Sequence, residues 1–186
     1  SRSPDPRSIS SNNMSRGSAN GLQREETMDE KKLAIIATKG SLDWAYPPFI
    51  LASTAAALGY ESQIFFTFYG LQLLKKKLDL QVTPLGNPGM PMPMGMDKWF
   101  PVLGMTLPGM QGMMTGMMKK KMKDKGVASI EDLRDLCQEA DVKLIACQMT
   151  VDLFDMDSSE FIDGIEYAGA AAFFEFAGES DICLYI

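Results

Sequence analysis

A cysteine near the end of a short apolar run is the residue of this chain that most directly suggests chemistry. The run extends from Val142 to Thr150, and Cys147 is followed there by the polar Gln148. Such a run is typical of a buried strand of a parallel sheet. Ligands and reactive groups of open α/β sheets gather beyond the carboxyl ends of the strands. A thiol at that position is a candidate nucleophile or carrier of sulfur.

Inert packing is the alternative interpretation of Cys147, because free cysteine is among the most buried residue types and behaves as a small hydrophobe. A helix N-terminus beyond the strand would favour a thiolate or a persulfide anion. Lys39, which follows another predicted strand, would add positive charge at the same edge of the sheet. Cys137 lies on the apolar stripe of a predicted helix and Cys183 within the last predicted strand, so both are predicted to be structural.

The composition excludes several classes of enzyme. The 186 residues contain no His, which excludes zinc hydrolysis through imidazole ligands, Ser-His-Asp catalysis and a Cys-His nucleophile pair. The three Cys form no disulfide framework and suit a reducing cytosol. We therefore expect a cytoplasmic protein whose thiol chemistry proceeds without His. Thiol exchange of that kind needs no cofactor and no metal.

Charge is distributed unevenly along the chain. The formal net charge of −6 disfavours a general nucleic-acid surface. Residues 119–125 contain five Lys against one Asp, whereas residues 126–186 contain two basic residues against fourteen acidic ones. The acidic C-terminal third suits a basic partner or simply solubility, and the Lys-rich run suits an acidic patch or anionic lipid.

The apolar runs predict one α/β domain over residues 31–186, with an insertion at 84–118. Residues 1–30, rich in Ser, Asn, Arg and Gly, are predicted to be a disordered leader or an expression remnant. Strands are predicted at 33–38, 62–69, 142–150, 165–167 and 181–186, and helices at 46–58, 71–78, 129–140, 157–163 and 170–177. This order predicts an open, mainly parallel four- or five-stranded sheet with helices on both faces, a flavodoxin-like layering.

Two helix ends carry recognisable signals. A helix beginning near Tyr46 would hold Pro47 and Pro48 in its first turn, where proline is tolerated, and would stop at Gly59. Ser129 and the Asp three residues later have the spacing of a capping box. A third local pattern, the turn 38–41, could cradle a phosphate between strand and helix, although it has neither GxGxxG nor GxxxxGK[ST] spacing.

The segment 84–118 interrupts the alternation of strands and helices. Eleven of the fifteen Met lie between Met90 and Met122, and the prolines and glycines among them preclude regular structure through the first half of the segment. These thioethers could hold Cu(I), or they could fill an irregular interface. The candidate copper ligands are Met90, Met92, Met94 and Met96, with Cys147 and Met149 as further candidates.

A membrane contact is a third interpretation of the same segment. Residues 99–118 are twenty uncharged residues bounded by Lys98 and the run Lys119–Lys121. The length suits a membrane span, but Pro101, Pro108 and four Gly disfavour a spanning helix. We therefore expect a loop at a membrane surface or at an oligomer interface, with peripheral membrane contact through residues 99–125.

Several segments resemble the DsrE/DsrF-like family, in particular its larger branch with a Met-rich insertion. They are AIIATKG from Ala34, IFFTFYGLQLL from Ile64, GNPGMPMPM from Gly86, GVASIEDL from Gly126 and VKLIACQMTVDL from Val142. The resemblance covers roughly residues 31–186 in order. It implies a small α/β domain with a parallel sheet, homo-oligomeric assembly and cytoplasmic sulfur-relay work.

The resemblance also implies a site and partners. Members of the family carry sulfane sulfur as a cysteine persulfide and exchange it with rhodanese-type donors and TusA-type carriers, and their sulfur-carrying cysteine corresponds to Cys147 here. Relatives of this branch are associated with the membrane. One departure is that some relatives place a second reactive cysteine in the insertion, which here contains Met and no Cys.

The leading hypothesis is a sulfur carrier or sulfurtransferase that holds sulfane sulfur as a persulfide on Cys147. The alternative is a Met-rich protein that binds Cu(I) or associates with a membrane without turnover. A nucleotide or coenzyme A binder at the turn 38–41 is a third hypothesis.

Overall fold

Five parallel strands form the sheet on which the described part of the chain is built. The computed structural model describes residues 31–83 and 109–186. The strands are β1 Lys32–Ala37, β2 Glu61–Phe66, β3 Lys143–Cys147, β4 Glu166–Ala168 and β5 Ile182–Tyr185. They lie in the order β4-β3-β2-β1-β5, and every neighbouring pair is parallel. The predicted parallel sheet is confirmed, with five strands.

Helices lie on both faces of the sheet, as predicted. Those of the described residues are α1 Leu42–Ala57, α2 Met110–Asp124, α3 Ile130–Glu139, α4 Gln148–Leu153 and α5 Ala170–Ala177, with 3₁₀ helices at Phe68–Leu74 and Ser158–Glu160. Both α1 and α3 pack into the main core on one face. On the other face, α5 covers a smaller apolar cluster.

Alternation along the strands divides the buried side chains between these two cores. Ile35 of β1 and Ile64 of β2 point into the main core with α1. Their neighbours Ala34 and Phe65 point to the opposite side, into the cluster under α5. Because successive strand residues face opposite sides of a sheet, Cys147 at the end of β3 also faces α5.

The start of α1 differs from the prediction. The helix begins at Leu42 rather than near Tyr46, so Pro47 and Pro48 lie inside the helix and not in its first turn. Each proline removes one backbone N–H from the helix. An anchor far along the chain holds the extra N-terminal turn, since the Asp43 carboxylate accepts hydrogen bonds from the backbone N–H of Thr83 at 3.0 Å and from its hydroxyl at 2.7 Å.

The end of α1 confirms the predicted stop at Gly59. This residue has a φ of +83°, which favours glycine. Its N–H donates to the carbonyl of Ala56, and the N–H of Tyr60 donates to the carbonyl of Ala55. These two bonds are the pattern of a Schellman motif.

Two predictions concern the helices around the insertion. No helix is predicted between residue 78 and Ser129, and this is wrong, because α2 precedes Ser129 and contains Gly112 and Gly116. Met and Lys, which fill most of α2, are good helix formers. The capping box of α3 is confirmed, since the Ser129 hydroxyl accepts from the N–H of Asp132 and the Asp132 carboxylate accepts from the N–H of Ser129, each at 3.0 Å.

The segment after β2 also differs from the prediction. The strand ends at Phe66 rather than Tyr69, and the 3₁₀ helix Phe68–Leu74 replaces the helix predicted at 71–78. The segment packs closely on the end of β1, where the N–H of Gly70 donates to the carbonyl of Thr38 at 3.1 Å and a Cβ atom on Gly70 would collide with the carbonyl oxygen of Ala37. The chain must therefore turn against the end of β1.

The described residues include part of the segment predicted to contact a membrane, residues 109–125. Within residues 31–83 and 109–186, no helix has both the length and the apolar character needed to cross a bilayer. The predicted leader 1–30 and the first half of the 99–118 stretch, residues 99–108, lie outside the described residues.

Replacing Gly70 with Ala is expected to lower the free energy of unfolding by about 1–3 kcal/mol, because the added methyl group meets the Ala37 carbonyl. The matched control is Gly116→Ala in α2, where no atom lies near the new methyl group. That change should raise stability by about 0.5–1 kcal/mol, the helix propensity difference. Urea denaturation followed by circular dichroism measures both, and equal stabilities would contradict the close approach.

Candidate functional site

Cys147 lies at the carboxyl end of β3, where the apolar run placed it. It is the last residue of the strand and also the N-cap residue of α4. In the sheet register it pairs with Ala168, the last residue of β4. Its side chain is only 4% exposed and belongs to an apolar cluster with Ala34, Phe65, Ile145 and Phe173. The thiol is therefore at the expected edge of the sheet but is covered.

Two helix beginnings lie close to Cys147 in the chain and in the sheet. The six-residue α4 starts at the next residue, and the Cys147 side chain makes no capping hydrogen bond to it. The other helix, α5, starts two residues after Ala168, the partner of Cys147 in the register. The free N–H groups of a helix first turn carry partial positive charge, so two such partial charges lie at this edge of the sheet.

A pair of hydroxyl groups fixes α4 to the end of β2. The Thr67 and Thr150 hydroxyl oxygens are 3.1 Å apart, and the N–H of Phe68 donates to Thr150 at 3.4 Å. Thr150 is fully buried, and Phe68 has a φ of +49°, a strained conformation for a bulky residue. The bonds to Thr150 brace this strained turn. Sequence reasoning missed the pair, because both Thr lie inside segments predicted to be strands, 62–69 and 142–150.

An exposed aromatic group adjoins α4. The ring centroids of Phe68 and Phe154 are 6.3 Å apart, and those of Tyr69 and Phe154 are 5.8 Å apart. We call the exposed apolar side chains at this edge the edge patch: Phe68, Tyr69, Met149, Leu153 and Phe154. Contiguous exposed apolar surface of this kind marks interaction sites, and sequence reasoning did not predict it.

Lys39, which was predicted to add positive charge near Cys147, instead lies against Trp44. Its ammonium group lies 3.1 Å from the centroid of the Trp44 ring, and β2 separates β1, which Lys39 follows, from β3. The structure therefore gives no support to a charge from Lys39 at Cys147. The glycine of the same turn has a packing role, since a Cβ atom on Gly40 would collide with the carbonyl oxygen of Tyr69.

The other two cysteines differ sharply from each other. Cys137 on α3 has no solvent exposure, and its thiol donates to the carbonyl of Phe49 at 3.4 Å. Burial raises the pKa of the Cys137 thiol to about 11, which keeps it protonated and inert. The prediction of a structural Cys183 is wrong about burial, because Cys183 is exposed on β5, the end strand of the sheet.

Metal ligands are not assembled in the part of the chain that the structure describes. Residues 31–83 and 109–186 contain no group of three or more Cys, Asp or Glu side chains placed to hold an ion. Hydrogen bonds engage two of the acids near α4, since Asp152 accepts from the Gln148 amide at 2.7 Å and Asp157 accepts from the N–H of Ser159 at 2.8 Å. The predicted copper ligands Met90, Met92, Met94 and Met96 lie outside the described residues.

Comparison with known proteins identifies the family. Residues 29–185 match the DsrE/DsrF/DrsH-like family. The chain belongs to that family. It is 87% identical over 159 residues to the sulfur carrier protein DsrE2 of Allochromatium vinosum, which covers 86% of this chain and 100% of that protein. The expected membership of the DsrE/DsrF-like family is thereby confirmed, whereas the branch with a Met-rich insertion stays a prediction.

More distant similarities are also found. The uncharacterized protein YrkE of Bacillus subtilis is 35% identical over 166 residues, which cover 86% of this chain and 99% of that protein. The crystal structure of the ychN protein from E. coli aligns with a TM-score of 0.48 and 11% identity, over 84% of this chain and 99% of that one.

The raised pKa of Cys137 predicts a loss of stability at high pH. In the unfolded chain the thiol ionises near its ordinary pKa of 9.0, whereas in the folded protein it stays protonated up to about 11. The folded state thus holds more protons in this window, and its contribution, complete below pH 9, is lost as pH rises towards 11. The expected loss is about 2–3 kcal/mol.

Chemical denaturation of the wild type and of Cys137→Ala from pH 8 to pH 11 measures this effect. The variant starts from a lower stability because it loses packing, but its stability should fall less steeply with pH. Other groups titrate equally in both proteins, so parallel curves would contradict the assignment.

Proposed function

We propose that this protein is a sulfur carrier that holds sulfane sulfur as a persulfide on Cys147 and passes it to an acceptor thiol. The observation that carries the proposal is the position of Cys147 at the carboxyl end of β3 in a chain 87% identical to a protein named a sulfur carrier. The family resemblance assigns the sulfur to the same residue.

The other cysteines are poor candidates for this role. Cys137 is sealed in the main core, and its pKa is raised by burial, so it offers no thiolate at neutral pH. Cys183 is accessible but lies in the first half of β5, away from the carboxyl ends of the strands where ligands gather in open α/β sheets. Cys147 lies at the carboxyl end of β3 and is also the N-cap residue of α4.

The transfer is an exchange in which no net oxidation occurs. The Cys147 thiolate attacks the outer sulfur of a donor persulfide, the sulfur–sulfur bond of the donor breaks, and the donor leaves as a thiolate. Cys147 then carries the outer sulfur as a persulfide. In the second step an acceptor thiolate attacks that sulfur, and the Cys147 thiolate leaves. Neither step needs an imidazole, a cofactor or a metal, in keeping with the absence of His.

We further propose a rhodanese-type donor and a TusA-type carrier as the partners, in the cytoplasm. Charge and apolar surface favour a basic protein at this edge, because residues 144–186 contain no Lys or Arg and the edge patch lies next to exposed Asp152 and Asp155. Electrostatic attraction of that kind speeds encounter and orients the partner.

Homo-oligomeric assembly and peripheral membrane contact through residues 99–125 are also part of the proposal. Exposed Lys side chains at the end of α2, including Lys119 and Lys123, would suit anionic lipid. A copper site is not favoured, since the relative at 87% identity is named for sulfur.

Intact-protein mass spectrometry after incubation with polysulfide tests the proposal. The wild type should gain one or more sulfur masses, and Cys147→Ser should gain none at that site because it lacks the attacking thiolate. Cys183→Ser is the matched control, since it removes the exposed thiol and should still load. Uptake that persists in Cys147→Ser and disappears in Cys183→Ser would refute the assignment.

A further inference from the structure

The small cluster that contains Cys147 includes one large buried side chain of α5, that of Phe173. Within the described residues, the buried members of the cluster around Cys147 come from the sheet, except for Phe173 of α5. Phe173 is 4% exposed, as is Cys147. The ring of Phe173 also packs on that of Phe65 of β2, with centroids 5.3 Å apart. Among the described residues, Phe173 is therefore the buried side chain outside the sheet that shares a cluster with Cys147.

Several contacts hold the C-terminal end of α5 to the sheet. The ammonium groups of Lys32 and Lys143 lie 5.7 Å and 5.8 Å from the centroid of the Phe176 ring. Lys32 also pairs with Glu179 at 2.8 Å, and the Ser180 hydroxyl donates to the carbonyl of Phe176 at 2.9 Å. This end is anchored to β1 and β3 by both charge and aromatic contact.

The N-terminal end of α5 has much less to hold it. Its N-cap residue is Gly169, which offers no side chain to cap the first turn. The next three residues, Ala170–Ala172, are exposed methyl side chains. A helix of eight residues has little stability of its own, so the first turn depends on the packing of Phe173.

We propose that Phe173 and the first turn of α5 form a gate over Cys147, which opens from the N-terminal end while the C-terminal end stays anchored. Phe173 is thus a specificity-determining residue: small thiols are excluded from the sulfur while the turn is closed, and loading and release of sulfur require its movement. The role in sulfur transfer rests on the function proposed above. The gate itself is a property of access and is tested without sulfur.

The three cysteines provide an internal gauge for this test. Cys183 is exposed, Cys147 lies under the gate, and Cys137 lies in the main core with no exposure. Global unfolding exposes Cys137 and Cys147 together, whereas opening of α5 exposes Cys147 alone. Alkylation with iodoacetamide, followed by peptide mass mapping over time, reads all three rates in one sample.

Phe173→Ala should raise the alkylation rate of Cys147 by at least about tenfold more than it raises that of Cys137, because lost packing under α5 favours local opening in addition to any global unfolding. Phe174→Ala is the matched control. It removes the neighbouring ring, which is 69% exposed, and should leave the Cys147 rate within about twofold of the wild type.

A second variant acts in the opposite direction and cannot be explained by unfolding. Gly169→Ser places a capping hydroxyl at a residue with extended backbone, φ −92° and ψ 176°, and with no atom near the added Cβ. It should slow the alkylation of Cys147 by about twofold and leave that of the exposed Cys183 unchanged. This variant decides the question if Phe173→Ala fails to fold.

Two results would overturn the gate: a wild-type Cys147 that reacts as fast as Cys183, or an unchanged Cys147 rate in Gly169→Ser. Either can occur while polysulfide still loads Cys147, so a failed gate is distinguishable from a failed sulfur carrier. Conversely, the gate stands if the alkylation rates behave as expected and no sulfur is taken up.

Discussion

The structure depends on the alternation of side chains along its parallel strands. This alternation divides the buried residues between the two faces of the sheet, and the cluster on one face is much larger than that on the other. On one face, α1, α3 and the 3₁₀ helix Phe68–Leu74 bury a continuous core. On the other face, the described residues supply mainly the short α5. Because β3 ends on a residue that faces the thin side, Cys147 is buried by a small and separable element rather than by the main core. A shift of one residue in the register of β3 would place the thiol in the main core instead.

Burial decides what each cysteine can do, since the three side chains are chemically identical. Cys137 is surrounded by the main core on all sides, and its charged form is suppressed there. Cys183 lies exposed on an end strand of the sheet. Cys147 is intermediate between the two, since it is buried in a small cluster that includes one side chain of the short helix α5. A sulfane sulfur must be both protected and transferable, and the proposed function places it in this third environment.

Much of this fold follows from local patterns in the sequence. Continuous apolar runs predict β1 and β3, the bounds 170–177 of α5 agree with the prediction, and Ser129 with Asp132 predicts the start of α3. The misplaced elements are those set by distant contacts. The N–H of Thr83 donates to Asp43 in the first turn of α1, forty residues earlier in the chain. The turn at Gly70 packs against the carbonyl of Ala37, which leaves no room for a Cβ atom. The position of Cys147 at a strand end could be predicted, but its cover could not. The packing of Phe173 on Cys147 and Phe65 depends on the path of α5 across the sheet, which no spacing in the sequence records.

The pairing of β1 with β5 gives the chain a definite order of assembly. The N–H of Lys32 bonds to the carboxylate of Asp181 across a separation of 149 residues, and the N–H of Thr38 donates to the carbonyl of Ile186. Contacts of such range form late, after the loops between them have closed. On the ribosome, β1, β2 and β3 can pair while β5 is still being synthesised. The helix α5, which shares an apolar cluster with Cys147, lies between β4 and β5, so the nascent chain presents the end of β3 before the helix that packs on that face has been completed.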